Sequence, residues 1–205
     1  MRNLVLIACA ACALVAAQAA DAAIVTRHDQ AGRVVTFDVR APGVGVGWYA
    51  AVLGNAVHGD EIETVRIRIV SHARVSKLCP GVDVRACYEG NEKGGVLTVP
   101  AGRSAAAAHR LLHEYAHHID MARSNFMHTS VPWASSWWAA RGMKTLLANG
   151  AVSLTYSLGW GRAVGEIFAE DYVQLNLRTN YFITALAPPG RAVQAALRRD
   201  LRATR

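Results

Sequence analysis

Apolar residues alternate loosely with polar ones over residues 24–40 (Ile24, Val25, Val34, Val35, Phe37, Val39), with Gly32 between the two runs. That pattern predicts a pair of short strands. Thr64-Val65-Arg66-Ile67-Arg68-Ile69-Val70 is the clearest strand pattern, apolar residues alternating with arginines. Val82–Tyr88 predicts another strand, Glu89–Gly95 a polar turn, and Val96–Val99 a short strand ending at Pro100. Between these runs, Ala41–Gly47 is a Gly- and Pro-rich loop, and Trp48–Val57 predicts a short helix. The GxGxG in that loop lacks a preceding strand and reads as a turn.

After Pro100 the pattern changes to a helical one. Ser104 is an N-cap candidate before Ala105–Ala108, and no Pro or Gly follows until Pro132, so a helix is expected from about Ser104 to Ala122. Trp133 leads into a helix expected from about Ala134 to Ala148, with Trp137 and Trp138 as packing residues and Asn149-Gly150 as its end. Val152–Tyr156 reads as extended. Arg162–Leu177 predicts a helix with Val164, Ile167, Phe168, Tyr172 and Leu175 as its core stripe. Arg191–Arg205 predicts a basic amphipathic helix, with Val193, Ala196, Leu197 and Leu201 on one side and solvated arginines on the other. Strands first and helices afterwards indicate an α+β domain.

The N-terminus stands apart. Arg2, the apolar run Leu4–Ala17 and small-x-small sites at Ala17-Gln18-Ala19 or Ala20-Asp21-Ala22 make residues 1–22 a secretory signal peptide. Leu6-Ile7-Ala8-Cys9 only faintly resembles a lipoprotein box, because the apolar stretch before Cys9 is very short. Residues 23–205 then form one domain with no transmembrane segment, secreted or periplasmic. Cys9 and Cys12 leave with the signal. Cys79 and Cys87 remain, and in an exported chain such a pair predicts a disulfide closing a short loop. A thiolate zinc site would need paired C-x-x-C spacing, which is missing. The net charge is +7, and arginine greatly outnumbers lysine. With abundant alanine, that bias suggests a GC-rich bacterial gene. A basic chain favours acidic substrates or an anionic envelope surface, but no clustered basic–aromatic pattern supports nucleic-acid binding.

The chemistry centres on His113-Glu114-Tyr115-Ala116-His117, an H-E-x-x-H pattern whose chance occurrence in this composition is about one per cent. On a helix the two histidines share one face, about 6 Å apart along the axis. They can bind one zinc ion, while Glu114 lies beside the metal's water as a general base. A third ligand is required. The class with a third histidine six residues later is excluded, since Arg123 occupies that place and Asp120 stands where its glycine would be. The segment Gly165-Glu166-Ile167-Phe168-Ala169-Glu170-Asp171-Tyr172 puts two carboxylates one turn apart on an otherwise apolar helix. Glu166 as ligand and Glu170 as the partner of a ligand histidine account for both; a solvated acidic face is the alternative. Of the other histidines, His109 is expected to be exposed. His118 points about 100° from His117 and is not expected to reach the same ion. His128 is a loop residue able to act as a donor.

His113-Glu114-x-x-His117 followed by Glu166-Ile167-Phe168-Ala169-Glu170 resembles the gluzincin metallopeptidases, most closely the branch containing the catalytic domain of anthrax lethal factor. The similarity spans roughly residues 96–178. It implies a zincin-like fold in which a small mixed sheet, edged by Val96–Val99, packs on the H-E-x-x-H helix, with a helical C-terminal part. It also implies Zn2+ held by His113, His117 and Glu166, Glu114 as general base, and Asp120 and Glu170 as structural or supporting carboxylates. A tyrosine stabilises the oxyanion in that family. Tyr156 is the nearest candidate, although its spacing to Glu166 departs from the family's. The implied partner is a peptide or protein substrate lying extended against the sheet edge. Two rivals use the same residues. One is an amidase acting on cell-wall peptides; the other is a non-catalytic exported zinc-binding module, against which an intact Glu114 argues.

Overall fold

The computed structural model describes residues 22–81, 83–123 and 135–203. The signal peptide expected over residues 1–22, apart from its last residue, and Val82, His128, Pro132 and Trp133 lie outside the described residues. Five strands form one mixed sheet: β1 (Ala23–His28), β2 (Val34–Val39), β3 (Val65–Val70), β4 (Cys87–Asn91) and β5 (Gly94–Pro100), in the order β1-β2-β3-β5-β4. The outer pairs β1–β2 and β4–β5 are antiparallel, and the inner pairs β2–β3 and β3–β5 parallel.

Register explains the layer that follows. Phe37 pairs with Ile67 and Ile67 with Leu97; Ile69 pairs with Val99. With Val35 and Val65 these residues are buried in one core with α1 (Gly47–Asn55) and α3 (Ala105–Ala122). Side chains alternate faces along a strand, so the odd-numbered residues of β3 supply the core while Arg66 and Arg68 fall on the other face. There Arg68 and Arg40 pair with buried Asp38 at 3.4 and 2.8 Å.

The expected edge strand needs correction. β5 is interior, and the edge beyond it is β4. Residues 89–91 extend that strand rather than forming a turn, and only Glu92 and Lys93 connect it to β5. An edge strand needs little apolar content, which is why Glu89-Gly90-Asn91 does not read as one. The disulfide Cys79–Cys87 forms as expected and ties the start of β4 to the end of α2 (His72–Leu78), a helix the sequence pattern does not announce.

α3 starts where its cap predicts, with the Ser104 hydroxyl accepting from the Ala107 amide at 3.2 Å. The helix expected over Ala134–Ala148 is two: α4 (Ser136–Arg141) and α5 (Met143–Ala148). They break at Gly142, whose φ of 66° is left-handed and ends α4. Trp137 and Trp138 are buried as expected. The stretch Val152–Tyr156 is not a strand. Ser153 makes an isolated bridge to Ala163, and two 3-10 turns, Tyr156–Leu158 and Trp160–Arg162, follow around Gly159. α6 (Val164–Asn176) packs alongside α3, and α7 (Arg191–Arg202) is the last helix among the described residues.

One buried ion pair joins these parts. Arg123, at the end of α3, pairs with fully buried Glu61 at 2.9 Å and donates to the carbonyls of Asp200 and Ala203. Glu61 also accepts from the Gly59 amide and the Tyr115 hydroxyl. The Asp200 carboxylate accepts from the Ser136 and Trp137 amides at the start of α4. Among the described residues, no helix is long and apolar enough to cross a membrane.

Candidate metal centre

Three histidines, His109, His113 and His117, follow one another at intervals of four along α3 and so share a face. Glu166 and Glu170, also four apart, face them from α6. This ladder makes two groups with metal-binding potential: His113, His117 and Glu166, and His109, His113 and Glu170. Counting protons separates them.

Glu170 is a fully used acceptor. One of its oxygens, Oε1, takes bonds from His109 Nε2 at 2.8 Å and His113 Nδ1 at 3.0 Å; Oε2 takes the Phe182 amide at 3.1 Å. His109 Nδ1 is buried with no partner. A metal on His109 Nε2 would put that ring's proton on Nδ1, where no acceptor awaits it. Leaving a buried donor unpaired is costly, so His109 keeps its proton on Nε2 and donates to Glu170. The second group is therefore an orienting network.

The first group is different. With its Nδ1 proton committed to Glu170, His113 presents a lone pair at Nε2. That atom lies 3.0 Å from Glu166 Oε2 and 3.3 Å from His117 Nε2, and His117 Nε2 lies 3.6 Å from Glu166 Oε1. Donors about 2.0–2.1 Å from a tetrahedral zinc lie about 3.3–3.4 Å apart, a spacing these separations bracket. These three side chains could hold a cation between them. In the metal-free chain a proton on His113 takes that place. Burial alone would lower the His113 pKa, but hydrogen bonds to Glu166 and Glu170, with the charge of Glu114, raise it to about 10. The same contacts act on the carboxylates. Against burial, His113 and His117 hold Glu166 well below the usual carboxylate range, and His109 and His113 hold Glu170 at about 2. Two imidazoles and one carboxylate fit zinc by donor type and spacing, and Glu170 fixes the tautomer of one ligand.

Glu114 belongs to neither group. It lines a cleft that passes over the site, about 700 Å³ on the His109 side and about 590 Å³ on the His117 side, and His113 and Trp160 line both parts with it. Trp160 stacks on His113, ring centroids 5.9 Å apart. Tyr156 also reaches the site despite its sequence spacing, because the two 3-10 turns fold its segment back over α6. Its hydroxyl donates to Glu166 Oε1 at 2.5 Å. Burial, and then the Glu166 carboxylate, raise its pKa above the ordinary tyrosine value, so the proton stays on.

Asp120 is fully buried on α3 and is a member of neither group. His118 faces away from the site, as expected; it bonds the Glu61 carbonyl and the Tyr88 hydroxyl. The expectation for His109 is overturned, since it is only 8 % exposed and sits under Phe182. Its place one turn before His113 is the signal that marks it; a helix face becomes a buried wall only when α6 packs on it. Trp160 and Phe182 carry no comparable sequence signal. No protein-family model matches this chain, and neither a curated protein nor a solved structure does.

Proposed function

We propose that this chain is an exported zinc metallopeptidase of zincin-like fold. The observation that carries the reading is the convergence of His113, His117 and Glu166 on one point at the floor of an open cleft, with Glu114 on the cleft wall beside it. His113, His117 and Glu166 would hold the zinc, which when bound would supply a Lewis acid for a carbonyl oxygen and for water. Glu114 takes the proton of the attacking water and passes it to the leaving amine. Tyr156, kept protonated, donates a hydrogen bond to the oxygen on which negative charge develops. Glu170 and His109 hold His113 in the ligating tautomer. The outer edge of β4, at Cys87, Tyr88 and Gly90, lines the cleft and offers main-chain groups to an extended peptide. The Cys79–Cys87 disulfide supports an oxidising compartment.

Glu114→Gln tests the mechanism. It is expected to keep one zinc per chain and lose most turnover; full activity would refute Glu114 as the base. In parallel, Glu166→Ala is expected to lose zinc, and unchanged metal content would remove Glu166 from the ligand set.

A further inference from the structure

Large apolar side chains that remain exposed are unevenly placed. Six are found among the described residues: Tyr156, Trp160 and Phe182 line the cleft, Leu154 and Leu158 flank Tyr156 in the same stretch, and these five are 43 to 64 % exposed. Four fall on alternate positions of one stretch. The hydroxyls before and between them bond to one another, Ser153 to Thr155 at 3.2 Å and to Ser157 at 2.9 Å, which holds the stretch in shape without covering its apolar members. Clustered exposed apolar groups in a folded domain mark a binding surface. This one is continuous with the candidate centre through Tyr156, bonded to Glu166, and Trp160, stacked on His113. Across the cleft the wall is also largely apolar, with Pro80, Val84, Ala86 and Tyr88.

We propose that residues 154–160 and Phe182 form a substrate rim that selects extended polypeptide with apolar side chains on both sides of the bond to be cut. The proposal rests on the peptidase reading and narrows its substrate class. An extended chain fits better than a folded one: the cleft runs between the β4 edge and the rim, and apolar residues must be out of their own core to meet it. Short polar cell-wall peptides would leave most of the rim in water.

The test uses zinc-loaded Glu114→Gln protein and two short fluorescent peptides of equal length and charge, one with Leu, Phe and Val around its centre and one with Ser, Asn and Gly. Binding is read by anisotropy. The apolar peptide is expected to bind at least about tenfold tighter, and Leu154→Ser/Leu158→Ser to remove about tenfold of that preference with zinc content unchanged. Neither leucine belongs to the catalytic machinery. Equal affinities, or an unaffected double variant, would overturn the rim. So would self-association or binding to anionic vesicles that the double variant abolishes while peptide binding stays put; the surface would then serve a second copy or a membrane. Cleavage of both peptides at one rate by the wild-type chain would leave the peptidase reading standing and refute the rim. Tight apolar binding with no cleavage of either peptide would keep the rim and refute the peptidase.

Discussion

Replacing Glu170 with Gln leaves the side chain's shape but removes its charge and one acceptor. The carboxylate serves three donors on two oxygens: His109 and His113 on one, the Phe182 amide on the other. An amide has one acceptor oxygen, so whichever way it faces, at least one donor meets an NH2 group. A hydrogen bond to a charged group is worth about 1.5–3 kcal/mol, and tenfold in affinity is about 1.4 kcal/mol. Facing its oxygen to the two imidazoles, the amide keeps both of their bonds and meets the Phe182 amide with NH2; facing the other way, it loses both imidazoles. In either orientation the charge that strengthens the His113 bond is gone, so zinc affinity is expected to fall by about tenfold to a hundredfold, the range typical of such supporting partners. Competition against a chromophoric zinc chelator reads the ratio of dissociation constants, and a thermal melt of the metal-free proteins checks that both are folded. His109→Phe removes one donor of the three and should cost less. A zinc affinity within twofold of wild type for Glu170→Gln would refute the argument that Glu170 orients His113.

Tyr156→Phe is expected to lower kcat by about a hundredfold or more with little change in KM, as loss of an oxyanion donor does; if zinc affinity falls instead and the loaded enzyme turns over normally, Tyr156 only supports Glu166. The proton on metal-free His113 must leave when zinc binds. Because its pKa is raised to about 10, that proton is present at neutral pH and lost only as pH climbs through that value. Zinc affinity should therefore rise by about tenfold per pH unit between roughly pH 7 and 9, and a flat profile in chelator competition would contradict the network. Folding of the metal-free chain runs the opposite way: the contribution of His113 is complete below its unfolded pKa of about 6.5 and disappears as pH rises through the folded value. The cysteines are 8 residues apart, a loop whose closure is worth about 2.5 kcal/mol in the chain-entropy model. Cys79→Ser/Cys87→Ser should thus melt about 5–10 °C lower while retaining zinc; an unchanged melting curve would mean that the bridge adds nothing to the folded state's stability.

The parts of this fold that sequence reveals are those governed by local rules. α3 announces itself through the Ser104 cap, the alanine run and the H-E-x-x-H spacing, and β3 through its alternation of apolar residues with arginine. Glu166 and Glu170 stand out because carboxylates on an apolar helix need partners. What escaped depended on distant neighbours. β4 is a strand because β5 pairs with it, not because Glu89, Gly90 and Asn91 favour one. His109 looks solvated until α6 covers it. Tyr156 looks misplaced along the chain until two tight turns around Gly159 shorten its path to Glu166. Gly142 lies inside the helix expected over 134–148, and only its left-handed backbone, φ 66°, shows that α4 ends there.

The Arg123–Glu61 pair has a consequence in time. Arg123 holds the end of the helix that carries His113 and His117, and it is itself held by carbonyls at Asp200 and Ala203, in and just after α7. Asp200 also fastens the start of α4. A polypeptide emerging from its N-terminus therefore exposes all its histidines long before it has made the clasp that fixes their helix. The carbonyls that complete the clasp lie 77 and 80 positions after Arg123, so a chain interrupted before α7 lacks it.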